Sequence, residues 1–329
     1  MKRLLIILIL LALASTAYAC NIPVFRYALE RWQPGSCELI VFHQAPLAPK
    51  SEKFVRQMEL ATVENDGATN ARVIRSNIDA EKSEAHRLVL ETLRKSQPIE
   101  LPYLVVRTNL GRGKTINNWH GSLEDARSAN LLQSPARKEL GKRLLRGDSI
   151  VWLLLKSNNA KKTQAARDLL EENFKSLQKT VTLPEGIGLP GSELHSEVPL
   201  LVKFSLLDID PADQQEQFLV KLLTGFEPQA VAEGEPLLVP VFGRGRALEV
   251  IPARDLNERL IKDMTLFLSG ACSCQVKEQN PGFDLLMTED WDTQLFGEDG
   301  LRPPPAKTVG DRKQPPELLT IPPGRGSGK

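Results

Sequence analysis

Apolar positions along the chain fall into three kinds of pattern. The first is an unbroken run, Leu4–Ala14, preceded by Lys2 and Arg3 and followed by Ala17-Tyr18-Ala19. The second is a helical stripe in residues 22–32, where Phe25, Ala28, Leu29 and Trp32 recur at i, i+3, i+4 and i+7, with Pro23 in the first turn and Gly35 as the stop. From Cys37 onward short strand-like runs alternate with helical stripes. CELIVFH (37–43) is a buried-looking strand, and residues 51–63 place Phe54, Met58 and Ala61 on one helical face. ARVIRSNI (71–78) alternates as a strand does. Residues 80–94 carry a stripe of Ala85, Leu88, Val89 and Leu93, and Pro102 opens a strand over 103–107. A turn at Gly111-Arg112-Gly113, a returning strand over 116–120 and a helix starting at Ser134-Pro135 complete the set, with Ala136, Leu140 and Leu144 facing that unit's core.

The same order then recurs. IVWLLL (150–155) is a strand, residues 162–178 a helix, 202–207 a strand and 213–223 a helix. Pro236 opens a strand over 237–242, Gly243-Arg244-Gly245 makes the turn, 247–251 returns, and residues 255–268 close as a helix with Asp255 and Glu258 at capping-box spacing. Pro102-x-Leu104-Val105 and Pro236-x-Leu238-Val239 lie 134 residues apart, and their glycine turns 132 apart. The pattern predicts an α/β chain built from one unit used twice: residues 37–147 and 148–270, after an N-terminal amphipathic helix (20–36) and before a Cys-x-Cys segment with an acidic and apolar extension (271–300). The functional reading of the helix over 22–32 docks it on a membrane or a partner. The simpler one packs it on the sheet of the first unit, because a single short helix is marginal unless it packs.

Strand–helix–strand, helix, then a Pro-led hairpin and a final helix is an order that resembles the thioredoxin fold, in tandem. In that superfamily the proline before the third strand is cis and faces the active site; Pro102 and Pro236 match that position by order. The segment CNIPVFRYALERW (20–32) also resembles the start of a family of uncharacterised exported bacterial proteins, which brings no known activity with it.

Charge and composition narrow the class. The first nineteen residues read as a signal peptide, since eleven apolar residues are too few to span a bilayer. Their removal takes the formal net charge from +1 to −1, which leaves no electrostatic footprint for nucleic acid. Residues 301–329 hold seven Pro and four Gly, a composition expected to stay disordered. The mature chain is therefore expected outside the cytoplasm, as a periplasmic, secreted or membrane-tethered protein. Cys20 follows the cleavage point, where a lipoprotein is cut and acylated, although Ala17 stands where such signals usually carry Leu. Acylation there would tether the chain to a membrane face.

The chemistry is narrowed by what is missing. Thiol–disulfide exchange of the thioredoxin kind needs cysteines at the first strand–helix junction, where the helix N-terminus lowers the thiol pKa. The two junctions read His43-Gln44-Ala45-Pro46-Leu47-Ala48-Pro49 and Lys156-Ser157-Asn158-Asn159-Ala160, with no Cys in either. Cys272-Ser273-Cys274 is the one close pair, expected on a short segment past the core. It suits a structural bond, within the pair or to Cys37; a strained redox disulfide; or a soft metal such as Cu(I). His43, His86, His120 and His195 show no zinc-hydrolase spacing, and no Gly-x-Ser-x-Gly elbow occurs. Asp208, Asp210 and Asp213 read as a turn and cap, and Phe283–Met287 with Trp291 as an apolar patch that folds back or binds a partner. The expectation is a redox-inert interaction protein of the cell envelope with a protein partner, no resident metal and no cofactor; the alternative is thiol–disulfide or soft-metal handling through Cys272 and Cys274. Mass spectrometry of the mature N-terminus should find a chain starting at Cys20, with a free amine or a diacylglyceryl group. A mature chain retaining residues 1–19 would refute export.

Overall fold

The computed structural model describes residues 21–304, apart from Asp66, Arg112, Gly113, Asn130, Gln133, Cys274 and Asp299. The signal segment, Cys20, Cys274 and the tail beyond residue 304 therefore lie outside the described residues. The chain is a mixed α/β structure with two sheets. The first contains β1 (Cys37–His43), β2 (Ala71–Asn77), β3 (Tyr103–Gly111) and β4 (Lys114–Ser122) in the order β2-β1-β3-β4. β1 and β2 are parallel, while β3 runs antiparallel to β1 and to β4. The second contains β5 (Ile150–Leu155), β6 (Phe204–Ile209), β7 (Leu237–Phe242) and the short β8 (Arg246–Ala247), with β9 (Ile251–Pro252) returning to β7 and β10 (Phe283–Asp284) added at the β8 edge. The order β6-β5-β7-β8 and the strand directions repeat those of the first sheet.

Each strand's alternation decides which helices it buries. In the first sheet Leu39 and Val41 face α2 (Pro49–Leu60) and α4 (Leu123–Ser128), while Ile40 and Phe42 face α3 (Glu84–Ser96). The buried stripe of α3 is Val89 and Leu90. Leu88, expected inward, is 60 % exposed: the side turned to the sheet is centred on Val89 and Leu90 instead. In the second sheet β5 is buried on both faces, as its continuous apolar run requires. Ile150, Trp152 and Leu154 face α1 (Val24–Arg31), α6 (Ala160–Thr180) and α9 (Glu258–Ser269). Val151, Leu153 and Leu155 face α5 (Pro135–Leu145) and α7 (Gln217–Thr224). The cap of α9 is Asn257, which accepts Leu260 N–H, rather than Asp255, which ends a preceding 3-10 turn.

Two helices correct the expected partition. The pattern predicts α5 facing the core of the first unit, yet Ala136, Leu140 and Leu144 pack on the second sheet; the short α4 closes the first. α1 also packs on the second sheet rather than the first, with Phe25, Ala28 and Trp32 against Phe242 and its neighbours. Seven of its eight residues are buried, so no apolar face is left over for a membrane or partner. The first sheet is thus inserted between two helices, α1 and α5, that both serve the second.

Burying α1 also buries charge. Arg26 is 1 % exposed, donates through Nε to Glu30 Oε1 at 2.9 Å, and gives its remaining nitrogens to the carbonyls of Val198 (2.7 Å) and Ser196 (2.6 Å). Glu30 accepts the backbone N–H of His195 and Ser196 at 3.2 and 3.1 Å. Removing one member of a buried pair leaves an uncompensated charge, which costs about 3–5 kcal/mol. Glu30→Ala is therefore expected to lower the urea midpoint by that equivalent; a midpoint equal to wild type would show that the pair does not hold α1.

Candidate functional site

Two places have the position of a site: the ends of β1 and β5, where each strand passes into its helix, and the seam between the sheets. At the first strand end the Leu101–Pro102 bond is cis, and Tyr103 pairs with Phe42, so the cis proline stands beside His43. Residues 44–46 are exposed, and the His43 ring nitrogen Nδ1 lies 3.1 Å from Ala45 O. The second strand end differs. Leu155 pairs with Leu237, which places Pro236 beside Lys156, but Leu101–Pro102 is the only cis peptide among the described residues. Lys156 Nζ pairs with Asp210 at 2.7 Å, and Asn159 caps α6 by accepting Lys162 N–H at 3.1 Å. Asp210 also accepts Ala212 N–H, Asp213 caps the next turn, and Asp208 pairs with Arg167 at 2.6 Å, so the aspartate cluster does turn and cap work. Neither strand end carries a thiol.

The cysteines stand elsewhere. Cys37 is the first residue of β1, at the opposite end from His43, and is 1 % exposed with a free thiol. A bond from it to Cys272 or Cys274, one of the two structural alternatives, is therefore not formed. Its Sγ lies 3.7 Å from Thr108 Oγ1, and burial pushes the thiol pKa up to about 11. Cys272 is not past the core: it is 1 % exposed and packs with Ile22 and α9, because the segment after α9 doubles back along the N-terminus.

The seam is built by residues whose roles the sequence reading missed. α7 lies between the sheets, with Phe218 in the core of the first and Leu219, Leu222 and Leu223 in the core of the second. The Arg137 guanidinium sits 5.1 Å above the Phe218 ring and donates to Leu286 O and Leu131 O, each at 2.7 Å. Glu216 accepts Ala136 N–H at 2.7 Å and the Ser134 hydroxyl, so a carboxylate from the α7 approach finishes the α5 N-terminus. Asn70 fastens the strap 285–287 to the first sheet: its amide donates to Gly35 O and Leu285 O, and its carbonyl accepts Met287 N–H at 2.6 Å.

A cleft of about 480 Å³ opens along the seam between β4 and α7–α8 (α8, Pro228–Ala232), lined among others by Asn117, Trp119, His120, Lys221 and Thr224. Behind it the Gln97 amide donates to Tyr103 Oη at 2.7 Å, and Tyr103 Oη hydrogen-bonds with His120 Nδ1 at 2.8 Å. Burial first, then Lys221, holds His120 below the ordinary histidine range. The hairpin register, which shifts twice between the turn and this point and sets Val105 opposite His120, brings Tyr103 and His120 together. The lining offers amide, imidazole and ammonium groups, with no thiol and no hydroxyl–histidine–carboxylate set. Among the described residues no three His, Cys, Asp or Glu side chains converge as metal ligands.

No protein-family model matches the chain, and no curated protein matches it either.

Cys37 is expected to resist alkylation at pH 8 in the folded chain and to react once urea unfolds it. Its raised pKa carries a sign: the native state keeps the proton while the unfolded thiol loses it near pH 9, so stability is full below pH 9 and falls as pH rises towards 11. Cys37→Ser should weaken that fall; an identical alkaline limb in wild type and variant would show that Cys37 does not contribute.

Proposed function

We propose that this is an exported cell-envelope protein made of two thioredoxin-like units, and that it binds a protein partner without performing thiol–disulfide exchange. The observation that carries the reading is the absence of cysteine at both strand–helix junctions, in a chain whose two sheets repeat one strand order. The cis bond at Leu101–Pro102 supports the resemblance for the first unit. The trans Pro236 and the capped, ion-paired junction at Lys156–Asn159 make the second unit the more divergent copy.

A thiolate does the attacking in disulfide exchange, and it forms where a helix N-terminus or a cation lowers the thiol pKa. Cys37 meets the opposite condition, being buried with its pKa raised, and Cys272 is shut inside an apolar cluster. The seam cleft, lined by side chains suited to hydrogen bonding and walled by β4 and α7–α8, fits recognition better than turnover. Thiol or soft-metal handling through Cys272 and Cys274 is the competing reading, and the burial of Cys272 weighs against it.

Insulin reduction decides between them. The mature chain is expected to give the rate of dithiothreitol alone, and Cys272→Ser with Cys274→Ser should leave that rate unchanged. An enzyme-like rate in the wild type that the double variant loses would establish the competing reading.

A further inference from the structure

The strand at the edge of a sheet turns a row of backbone N–H and C=O groups outward, and folds manage such edges in recognisable ways. In the second sheet the β10 edge is two residues long. The β6 edge is capped. Lys156 N–H bonds to Ile209 O at 3.0 Å, so by strand alternation Phe204 and Leu206 face away from β5. Gln178 donates to Phe204 O at 3.2 Å and Arg143 to Leu206 O at 2.8 Å. In the first sheet β4 lies along the seam cleft and its pairing is broken by two register shifts.

β2 holds the place in the first sheet that β6 holds in the second, yet it has no such caps. Cys37 N–H to Asn70 O at 3.0 Å and Ile78 N–H to His43 O at 2.9 Å fix the alternation: Arg72, Ile74 and Ser76 bond to β1, while Val73 and Arg75 turn their backbone groups outward. No described residue bonds to those four groups. β2 contains no proline, and its seven residues pair with β1 without a shift.

The open stretch is symmetric. It ends at Ala71, whose N–H goes to Thr69 O at 2.8 Å, and at Asn77, whose carbonyl accepts Ala80 N–H at 3.0 Å. Ile74 stands midway between these closed ends. When two copies are laid antiparallel about Ile74, Val73 of each exchanges both backbone bonds with Arg75 of the other. The two groups already in use, Ala71 N–H and Asn77 O, fall opposite each other. A strand of unrelated sequence has no reason to match both closed ends; a second copy does so by construction. Charge, a common guard on edges, is cancelled here. Arg75 bonds to Glu52 at 2.7 Å and to Glu59 at 2.6 Å, and Arg72 lies 3.6 Å from Glu64. Val73 and Ile74 are partly buried, and the pairing covers what they still expose, Val73 beside the stem of Arg75 and Ile74 beside its own mate.

We propose that two copies of this chain join antiparallel along β2 about Ile74, fusing their four-stranded sheets into one. The contact is isologous and closes at two copies. It rests on one short ladder, so the dimer is weak and depends on concentration. β4 is the opposite edge of the same sheet, so the seam cleft stays open on both copies and the dimer is bivalent.

The test uses the full chain. Sedimentation over a concentration series should carry the mass from that of one chain towards twice that value. Val73→Pro removes an outward N–H without breaking a bond to β1, and edge strands accept proline at such positions. It should stay monomeric with the circular dichroism of the wild type. Cysteine cross-linking tests the register separately. The two positions 74 would face each other with Cα atoms about 4.5 Å apart, whereas the two positions 72 would stand about 14 Å apart. Copper–phenanthroline should therefore cross-link Ile74→Cys about tenfold faster than Arg72→Cys, above the wild-type background. A chain that stays monomeric at every soluble concentration overturns the proposal and leaves the edge to a strand of another protein. A dimer that cross-links equally at 72 and 74, or that natively folded Val73→Pro still forms, overturns it as well. If Val73→Pro does not fold, the ratio of the two cross-linking rates decides.

Discussion

The Arg244 guanidinium holds together what the chain order would otherwise leave apart. It donates to Leu29 O at 2.7 Å and Glu30 O at 3.1 Å, satisfying carbonyls that the end of α1 leaves without helical partners, and it pairs with Asp292 at 2.7 Å. The glycines on either side make this approach feasible. Gly243 has φ +59° and a Cβ there would lie 2.7 Å from Ala28 Cβ; Gly245 has φ +86° and a Cβ would lie 2.6 Å from Met287. A hairpin turn of the second sheet is therefore also the socket for a helix from one end of the chain and a strap from the other. With α1 seated, one face of the second sheet is covered; with the strap seated, the first sheet is fixed to the second.

That arrangement bears on how the two halves work together. α7 contributes side chains to both cores, Arg137 and Glu216 tie α5 to its neighbours through buried polar contacts, and Asn70 stitches the strap to the first sheet. Interfaces built this way, with shared apolar residues and fully buried hydrogen bonds, do not hinge easily. The cleft between β4 and α7 has walls set by the fold. Its shape is thus available before any partner arrives, and binding there would not have to offset the cost of ordering it.

Much of the fold was legible in the sequence because its strands are short and strongly patterned. The runs at 150–155 and 237–242 match the strands residue for residue, and Ser134-Pro135 begins a helix as its cap predicts. Local pattern does not say which sheet a helix covers, so α1 and α5 went to the wrong neighbour: an apolar stripe is compatible with any complementary face. The same limit hid the site. Arg137 and Glu216 look like ordinary helix-surface charges until their burial is known, and Gly243-Arg244-Gly245 looks like any hairpin turn until α1 is set against it. What did carry through is a negative: the missing junction cysteines are visible in the sequence, and the structure places no thiol at either strand end.

The place of α1 sets an order of events during synthesis. Residues 22–32 leave the ribosome first among the folded parts, yet their partners are β5, β7, α9 and the segment 270–272. Roughly two hundred and forty residues must be made before the helix can dock, and a short helix on its own is marginal in water. The first sheet, whose four strands lie within residues 37–122, can close earlier. The nascent chain thus keeps its leading end open until α9 and the residues after it have appeared, and a contact of very high sequence separation closes it.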